Sequence, residues 1–431
     1  MKKKLLVILG AGSSISCGMP SVTQLDELMA QWSDNWAPFP GASNHYRALR
    51  ANVESYYRTG NPSVRPILNF EKILGEMIAL SHWMRPAPLG DTLRQTACGG
   101  AAPPNLAFNS EDLWGSPAPY AATVEVTSQR THLLTELARH FRSLCANMDT
   151  SDESHDKYGA LARSLSNAFD VGVYNLNYDI LALRAWPQAF TGFDTNGEFD
   201  ATLVHQRNEW EFAYHLHGSV HHSLNQPLGG ERIVWRSDLS DFDSFVDAPQ
   251  GHAELTVSEG KELPRTTLVA GGFKLDQLLV EPFHSMHAAL VRHVYEADAL
   301  LIGGYGFGDE HVNRAISNRL ARRVPPNRLP VMILNRAECR TDPVCFRHDE
   351  WSHNLQRTLD VPDHFFREPG HEAAPHPHAL ALRGGFEVSG PHRVAIWHGG
   401  FVEAASHIDR IVEWLLGADD SRLSGSTSDD S

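Results

Sequence analysis

The sequence predicts an α/β fold with a doubly wound parallel sheet. Short apolar runs recur along the chain, and most of them lack the alternation of apolar and polar residues that a half-exposed strand shows. Patterns of helical period separate these runs, and several runs lead directly into a glycine-rich or polar turn. Such alternation of strand and helix is typical of a Rossmann-like sheet. The predicted strands are 5–9, 171–176, 212–217, 299–302, 329–334 and 394–397.

Helical periodicity accounts for much of the remaining chain. The predicted helices are about 21–32, 70–84, 128–148, 157–168, 284–296, 309–323 and 401–416. Three stretches lack clear periodicity and are interpreted as insertions, at about 86–125, 222–266 and 340–392. We therefore expect a single domain over 1–416 with irregular and helical insertions, followed by a flexible Ser- and Asp-rich tail at 417–431.

The composition argues against several classes of protein. The net charge of −15 disfavours a surface that grips nucleic acid directly. The five cysteines form no C-x-x-C pair, so we expect neither a disulfide scaffold nor a cysteine-rich zinc module, and the cytoplasm is the natural compartment. The apolar run Leu5–Leu9 behind Lys2–Lys4 is too short for a secretion signal, and no stretch reaches the roughly 18 apolar residues of a membrane helix.

A glycine-rich loop follows the first predicted strand. It contains Gly10, Ala11, Gly12, Ser13 and Ser14, with Pro20 further on. The glycines allow the backbone to approach a pyrophosphate, and the next helix can direct its free N–H groups at the negative charge. The dehydrogenase fingerprint G-x-G-x-x-G fails because Ile15 stands at the third glycine position, and a Walker lysine is missing. A tight structural turn is the alternative.

Polar residues follow the second predicted strand. Asn177 and Asp179 lie where a buried strand ends and a helix begins, and ligands of open α/β sheets bind at this edge. The alternative is helix capping, in which one of the two side chains accepts N–H bonds from the first turn of the helix.

Histidines end the third predicted strand. His215 and His217 are two residues apart and therefore face the same side of a strand, and His221 and His222 follow. Two imidazoles in this arrangement can bind a metal, although further ligands would have to come from elsewhere in the chain. With 24 histidines in the sequence, clusters also arise by chance.

A second glycine-rich turn follows the strand 299–302. It contains Gly304, Tyr305, Gly306 and Phe307. Its glycines allow close approach to a nucleotide, and Asp309 can cap the next helix. The strand 329–334 ends at Asn335, which is either a loop residue or a nucleotide contact.

Four segments, taken in order, resemble the sirtuin-like NAD-hydrolase domain of bacterial anti-phage defence systems. They are Gly10-Ala11-Gly12-x-Ser14 with Gly18-Met19-Pro20, Asn177-Tyr178-Asp179, His217-Gly218-Ser219, and Tyr305-Gly306-Phe307-x-Asp309 with Asn313. Residues Ser21–Thr23 depart from the sirtuin pattern, in which an aromatic residue and an arginine follow the proline. This departure, together with the lack of cysteines over 220–280, argues against a protein deacylase.

The resemblance implies a role for each matched residue. Asn177 would hold the nicotinamide ribose hydroxyls or orient a water, Asp179 would bind the carboxamide, and His217 would act as general base. His215 is interpreted as structural, Gly399–Phe401 would close over the adenine, and no metal is expected. The implied NAD-binding residues are Gly10, Ala11, Gly12, Ser13, Ser14, Pro20, Gly304, Tyr305, Gly306, Phe307, Asp309 and Asn335.

The resemblance implies an NAD glycohydrolase, with NAD as substrate, that depletes cellular NAD and halts growth of an infected cell. We expect control by homo-oligomerisation or by a partner such as a hexameric ATPase or a short Argonaute. Two other functions stay open. The protein could sense NAD or ADP-ribose without cleaving it, or it could be a metal-dependent hydrolase that uses His215, His217, His221 and His222.

Overall fold

A central seven-stranded sheet organises the protein in a computed structural model. The structure describes residues 2–38, 42–60, 68–84, 119–149, 151–225, 232–248, 250–256, 262–272, 274–320, 328–336, 349–362, 366 and 385–423. The strands are β1 (Lys3–Leu9), β2 (Phe169–Asn175), β3 (Glu211–His215), β4 (His222–Asn225), β5 (Arg232–Trp235), β6 (Gln250–Thr256), β7 (Glu262–Arg265), β8 (Ala299–Gly303), β9 (Val331–Leu334), β10 (Phe386–Ser389) and β11 (Val394–Trp397).

The strand order confirms the predicted fold class. The central sheet runs β10-β11-β9-β8-β1-β2-β3, and each pair is parallel except β10 with β11. The chain starts in the middle at β1, adds β2 and β3 on one side, and then adds β8, β9 and β11 on the other. This reversal of direction is what defines a doubly wound sheet, and it creates a crevice at the carboxyl edge beside β1.

Helices cover both faces of the sheet. They are α1 (Val22–Asn35), α2 (His45–Gly60), α3 (Phe70–Met84), α4 (Pro119–Ala146), α5 (Glu153–Ala168), α6 (Leu181–Ala185), α7 (Ala201–Gln206), α8 (Lys274–Gln277), α9 (Phe283–Glu296), α10 (Glu310–Leu320), α11 (Glu350–Leu359) and α12 (Ile408–Leu415). Helices α1–α6 and α12 contribute to the core that contains Leu5, Val7 and Leu9. Helices α7 and α9–α11 contribute to the opposite core, which contains Leu6 and Ile8.

The apolar run in β1 is buried on both faces of the sheet. Residues Leu5–Leu9 are all fully buried, because β1 pairs with β2 on one side and β8 on the other while each face meets helices. Burial of each such side chain contributes about 1.5–3 kcal/mol to folding. An apolar run without alternation is therefore what this position requires, and the strand prediction at 5–9 is confirmed.

Several boundaries differ from the predictions. The segment 222–266 was expected to be irregular, but it contains the antiparallel pairs β4–β5 and β6–β7. Three of these strands have only four residues, which is too short for a clear periodic pattern. Helix α4 begins at Pro119, inside the predicted insertion 86–125, and positions 86–118 of that insertion lie outside the described residues. Helix α2 was not predicted.

The C-terminal third also departs from expectation. Within the predicted insertion 340–392 the structure contains α11 and the edge strand β10, and other parts of it lie outside the described residues. The predicted helix 401–416 consists of a 3-10 segment, Val402–His407, followed by α12. In the predicted tail, Leu423 is buried, and 424–431 lie outside the described residues. None of the described helices is both long and apolar enough to cross a membrane.

A buried ion pair ties α4 to the 222–266 segment. Arg142 and Asp247 are almost fully buried, and their side chains approach to 3.0 Å between Nη1 and Oδ1. Asp247 also accepts from Arg236 at 2.8 Å and from the Ser223 hydroxyl. The carboxylate is therefore fully engaged, and it holds β4 and the loop after β5 against the helix.

Loss of the Asp247 carboxylate should destabilise the protein strongly. We expect Asp247→Ala to lower the free energy of unfolding by about 3–5 kcal/mol, because Arg142 would stay buried without its partner. Phe245→Ala is the matched control, since Phe245 is exposed two residues away and its loss should change stability by less than about 0.5 kcal/mol. Urea unfolding of both variants measures the difference, and equal midpoints would contradict this assignment.

A candidate nucleotide site at the carboxyl edge of the sheet

The predicted site residues meet at one edge of the sheet. The glycine-rich loop follows β1, Asn177 and Asp179 follow β2, and His217 follows β3. The second glycine-rich turn follows β8, and Asn335 follows β9. Because these strands are parallel, their carboxyl ends lie side by side, as they do in the nucleotide sites of open α/β sheets.

The two glycine-rich turns lie against each other. The Gly10 amide donates to the Gly303 carbonyl and the Gly12 amide to the Gly304 carbonyl, both at 2.9 Å. Gly304 has a φ of 59°, and a Cβ at this position would lie 2.0 Å from the Ser13 nitrogen. Only glycine fits this backbone conformation and this close approach. The glycines are therefore required for the contact between the turns, whatever else they bind.

The first loop joins β1 to the helix predicted at about 21–32, which the structure confirms as Val22–Asn35. It forms two 3-10 turns, Ala11–Ser13 and Ile15–Cys17, and α1 begins only at Val22. Ser21, which follows Pro20, caps α1 and accepts a hydrogen bond from the Gln24 amide. The backbone close to β1 thus belongs to the 3-10 turns rather than to α1. The exposed residues Ala11 and Gly12 present this backbone to solvent.

Asn177 holds the first loop in place. Its Nδ2 lies within hydrogen-bond distance of three oxygens, namely the Gly10 carbonyl at 3.0 Å, Ser13 Oγ at 3.1 Å and Ser14 Oγ at 3.0 Å. The side chain is buried. Its amide therefore bonds to the loop, which is a role that the sequence did not predict.

Asp179 combines helix capping with a contact to the same loop. Its Oδ1 accepts from the Leu181 amide at 3.0 Å, at the start of α6, as the capping interpretation expected. Burial raises the pKa of Asp179, while hydrogen bonds from Ser14 and from the Leu181 backbone oppose the shift. The carboxyl group is thus placed beside Ser14, between α6 and the glycine-rich loop.

His217 is a buried, neutral imidazole. Its Nε2 lies 3.4 Å from His311 Nε2 and 3.7 Å from Asp309 Oδ1. Burial lowers the pKa of His217 to about 3, although the Asp309 charge and a hydrogen bond to the Leu176 backbone act in the opposite direction. The sequence argument relied on an imidazole near neutral pKa, and in this arrangement burial outweighs the nearby carboxylate.

Lys274 is a member of the site that the sequence did not reveal. Its Nζ lies 2.8 Å from Asp309 Oδ1 and 3.2 Å from Glu71 Oε2. Burial lowers the pKa of Lys274, but the charges of Glu71 and Asp309 outweigh burial and raise it overall. Burial raises the pKa of Asp309, but the nearby positive charges, above all the Lys274 ammonium, outweigh burial, and the pKa is lowered overall. Both groups are therefore charged.

The second glycine-rich turn is held by its own side chains. Tyr305 Oη donates to Asn313 Oδ1 at 3.0 Å, and Asn313 Nδ2 donates to the Phe307 carbonyl at 2.8 Å. The side chains of Tyr305 and Phe307 are buried, while Gly306 between them is exposed. At this turn the backbone at Gly306, rather than the aromatic rings, is available to a nucleotide.

Asn335 and the loop after β11 complete the edge. The backbone N–H of Asn335 donates to the Trp397 carbonyl at 2.8 Å, and the backbone carbonyl of Asn335 accepts from the Gly400 N–H at 2.9 Å. Phe401 is buried and packs against Tyr158, with ring centroids 4.9 Å apart. The structure therefore brings Gly399–Phe401 beside Asn335, as the predicted adenine end of the site requires.

The four histidines near β3 do not form one cluster. His215 packs near His222 and Trp235, and burial lowers its pKa to about 3. His221 stacks on Trp235. His217 is instead grouped with Asp309 and His311, whose ligand atoms lie within 4.8 Å of one another. The metal hypothesis based on His215, His217, His221 and His222 is therefore wrong in its choice of ligands.

The group of His217, Asp309 and His311 has the spacing of a metal site but not its charge. Two imidazole nitrogens 3.4 Å apart fit the tetrahedral geometry of zinc, in which Zn–N bonds are about 2.0–2.1 Å. However, the Lys274 ammonium already occupies Asp309 Oδ1 at 2.8 Å, and a second cation beside it would be repelled. We therefore do not assign these residues as metal ligands.

Part of this site lies in a segment that matches a known protein family. Residues 171–350 match the family model of the SIR2-like domain, a segment that contains Asn177, Asp179, His217 and the second glycine-rich turn but not the first loop. A search among curated sequences gives no match.

Two solved structures align along most of their length. A Sir2 homologue in complex with NAD is 12% identical, covering 96% of this chain and 91% of its own, with a TM-score of 0.37. A mutant Sir2 homologue in complex with 2'-O-acetyl ADP ribose is 13% identical, covering 97% and 94%, with a TM-score of 0.34. At such low scores neither superposition bears on the site, and the strand order itself establishes the fold.

Removal of the Lys274 charge should destabilise the site in a pH-dependent way. Lys274→Met leaves Asp309 without its cation and should lower the free energy of unfolding at pH 7 by about 3 kcal/mol. The depressed pKa of Asp309 contributes stability above the unfolded value near pH ~4, and this contribution is lost as pH falls towards the folded value. The difference between variant and wild type should therefore shrink below about pH 4.

Lys72→Met is the control for that experiment. Lys72 and Glu350 form an exposed pair at 3.8 Å, and such pairs contribute less than about 1 kcal/mol. Denaturant unfolding at several pH values compares the two variants. A Lys274→Met protein as stable as Lys72→Met at pH 7 would contradict the assigned ion pair.

Proposed function

We propose that the protein is an NAD glycohydrolase, which cleaves NAD into nicotinamide and ADP-ribose. The observation that carries the proposal is the convergence of the Gly10–Ser14 loop, Asn177, Asp179 and His217 at the carboxyl edge of one sheet, where they follow β1, β2 and β3. The match of residues 171–350 to the SIR2-like domain supports it, because three of the four elements lie within that segment.

The first loop is suited to hold the pyrophosphate of NAD. Its backbone near Ala11 and Gly12 is exposed, and its position is fixed by Asn177 and by the second turn. Backbone N–H groups in such a turn bind phosphate oxygens without a charged side chain. Asn335 and Gly399–Phe401 lie at the other side of β1, where the adenosine half of a dinucleotide would extend.

The chemistry requires only a weak base. Nicotinamide leaves as a neutral molecule, so the site must position the ring, stabilise the positive charge that develops on the ribose, and admit water. His217 is neutral and can take a proton from water once the oxygen has begun to bond, when the water is far more acidic than before. In this proposal Asp179 binds the carboxamide, and Asn177 orients the ribose or the water.

A second candidate function has support from the same geometry. Burial holds the pKa of His217 near 3, and the Asn177 amide is already bonded to the loop. A site of this kind could bind NAD or ADP-ribose as a sensor without cleavage. Nicotinamide release separates the two functions, because a sensor binds the nucleotide and releases none.

The biological role is a separate proposal. We propose that the enzyme depletes NAD in the cytoplasm during phage infection and is kept silent until triggered. Self-assembly, or a partner such as a hexameric ATPase or a short Argonaute, would provide that control. The support is the resemblance of four sequence segments to the defence family, and an assay with and without candidate partners tests it.

Loss of the His217 imidazole should abolish turnover. We expect His217→Ala to lower kcat for nicotinamide release by at least about 100-fold, which is the usual contribution of an acid–base group. His353→Ala, on the exposed surface of α11, is the matched control and should leave kcat unchanged. Chromatography of nicotinamide measures the rates. A fully active His217→Ala enzyme would overturn the assignment of the base.

Loss of the Asn177 amide should impair binding as well as chemistry. Asn177→Ala frees the glycine-rich loop from up to three contacts, each of which contributes roughly 1 kcal/mol, and KM for NAD should rise by about tenfold or more. Asn147→Ala, at the exposed end of α4, is the control. An unchanged KM would show that the loop keeps its conformation without Asn177.

A further inference from the structure

The adenosine end of the proposed site carries an exposed guanidinium. Arg336 is the second residue after β9, and within the described part of the chain its side chain has no ion pair and no hydrogen bond. Two carboxylates of the neighbouring segments have other partners. Glu387 on β10 is bound to His398 at 2.9 Å. Glu403, in the 3-10 segment after β11, is bound to Lys157 at 3.0 Å. The charge of Arg336 is therefore available to a ligand.

The alternation of side chains along β9 places Arg336 on the side of the sheet that holds the first glycine-rich loop. Leu334 belongs to the core that also contains Cys17 of that loop and Phe401. Arg336 stands two residues further along, and its backbone pairs with Gly399 in an antiparallel bridge. Side chains two residues apart in an extended segment face the same side. Arg336 therefore lies on the same side as the loop that would hold the pyrophosphate.

The space next to this segment is open. A Cβ added at Gly400 would meet no atom within 4 Å, and the Gly400 N–H is bonded to the Asn335 carbonyl. Asn177 and His217, the residues proposed to act on the nicotinamide half, follow β2 and β3, which lie across β1 from β9. The adenosine half of the nucleotide would consequently lie over β9 and β11, beside Arg336.

We propose that Arg336 binds a phosphate group on the adenosine ribose, so that the protein accepts NADP as well as NAD. The inference rests on the proposed function. A guanidinium presents its N–H donors in one plane and binds phosphate oxygens in pairs. Dinucleotide sites that select NAD place a carboxylate at the 2'-hydroxyl, whereas an arginine accommodates the 2'-phosphate. The residues directly after β9 and β11 are Asn335 and His398, and neither carries a carboxylate.

Cleavage of NADP follows the same chemistry as cleavage of NAD. The bond between C1' of the nicotinamide ribose and the nicotinamide nitrogen breaks, and its electron pair leaves on nicotinamide. Water supplies the oxygen that bonds to C1', and the products are nicotinamide, ADP-ribose 2'-phosphate and one proton. The phosphate on the adenosine ribose is unchanged in this reaction. The contribution of Arg336 should therefore appear in KM for NADP rather than in kcat.

Nicotinamide release from both nucleotides tests the inference. We expect the wild-type protein to cleave NADP and NAD. Arg336→Gln should raise KM for NADP by about tenfold or more, because a charged hydrogen bond to the phosphate is lost, and should change KM for NAD by less than about twofold. Arg314→Gln is the matched control, since Arg314 is an exposed arginine on α10 that pairs with Glu310. It should alter neither KM.

A binding measurement separates this inference from the proposed function. By calorimetry, Arg336→Gln should weaken binding of ADP-ribose 2'-phosphate by about tenfold and leave binding of ADP-ribose unchanged. If the protein cleaves NAD but not NADP, or if Arg336→Gln keeps the wild-type preference between them, only this inference is overturned. If neither nucleotide releases nicotinamide, alone or with partners, the proposed glycohydrolase is wrong. Weaker binding of ADP-ribose 2'-phosphate by the variant would then still support the phosphate contact, and equal binding would overturn it.

Discussion

The close contact between two glycine-rich turns determines where everything else in the site can lie. Gly10 and Gly12 donate to the carbonyls of Gly303 and Gly304, and Gly304 leaves no room for a Cβ against Ser13. This contact fixes the ends of β1 and β8 relative to each other, in the middle of the sheet. Asn177 then bonds to the first turn, and Asp309 stands at the end of the second. A nucleotide bound here would meet a backbone that is already in place, which reduces the entropic cost of binding.

Oppositely charged side chains in the site lie close together, and each favours the charged form of the other although both are largely buried. Asp309 and Lys274 form a pair beside His217, and Glu71 on α3 adds a second carboxylate. Because the carboxylate and the ammonium act in opposite directions on the imidazole, burial remains the largest influence, and His217 is neutral. A neutral histidine is able to accept a proton, which the proposed glycohydrolase would require.

A metal ion in this site would compete with the Lys274 ammonium for the same carboxylate. His217, His311 and Asp309 are as close as metal ligands, yet the ammonium of Lys274 supplies the positive charge that a metal would bring. The histidines that the sequence places together, His215, His221 and His222, pack instead around Trp235. Proximity in sequence therefore favoured the wrong group of imidazoles, because after β3 the chain turns at Gly218, whose φ is 93°, and directs the later histidines elsewhere.

The sequence by itself determined the fold class and the residues that follow the strands. Runs such as Leu5–Leu9 are buried on both faces, so their composition alone reveals a strand in a parallel sheet. Residues that follow parallel strands gather at one edge of the sheet for a topological reason, which made the common location of Asn177, Asp179 and His217 predictable. Only the tertiary structure placed His311 next to His217, 94 residues away, and Lys274 next to Asp309. Contacts between side chains on separate elements depend on how helices pack over the sheet, and no local pattern of residues encodes them.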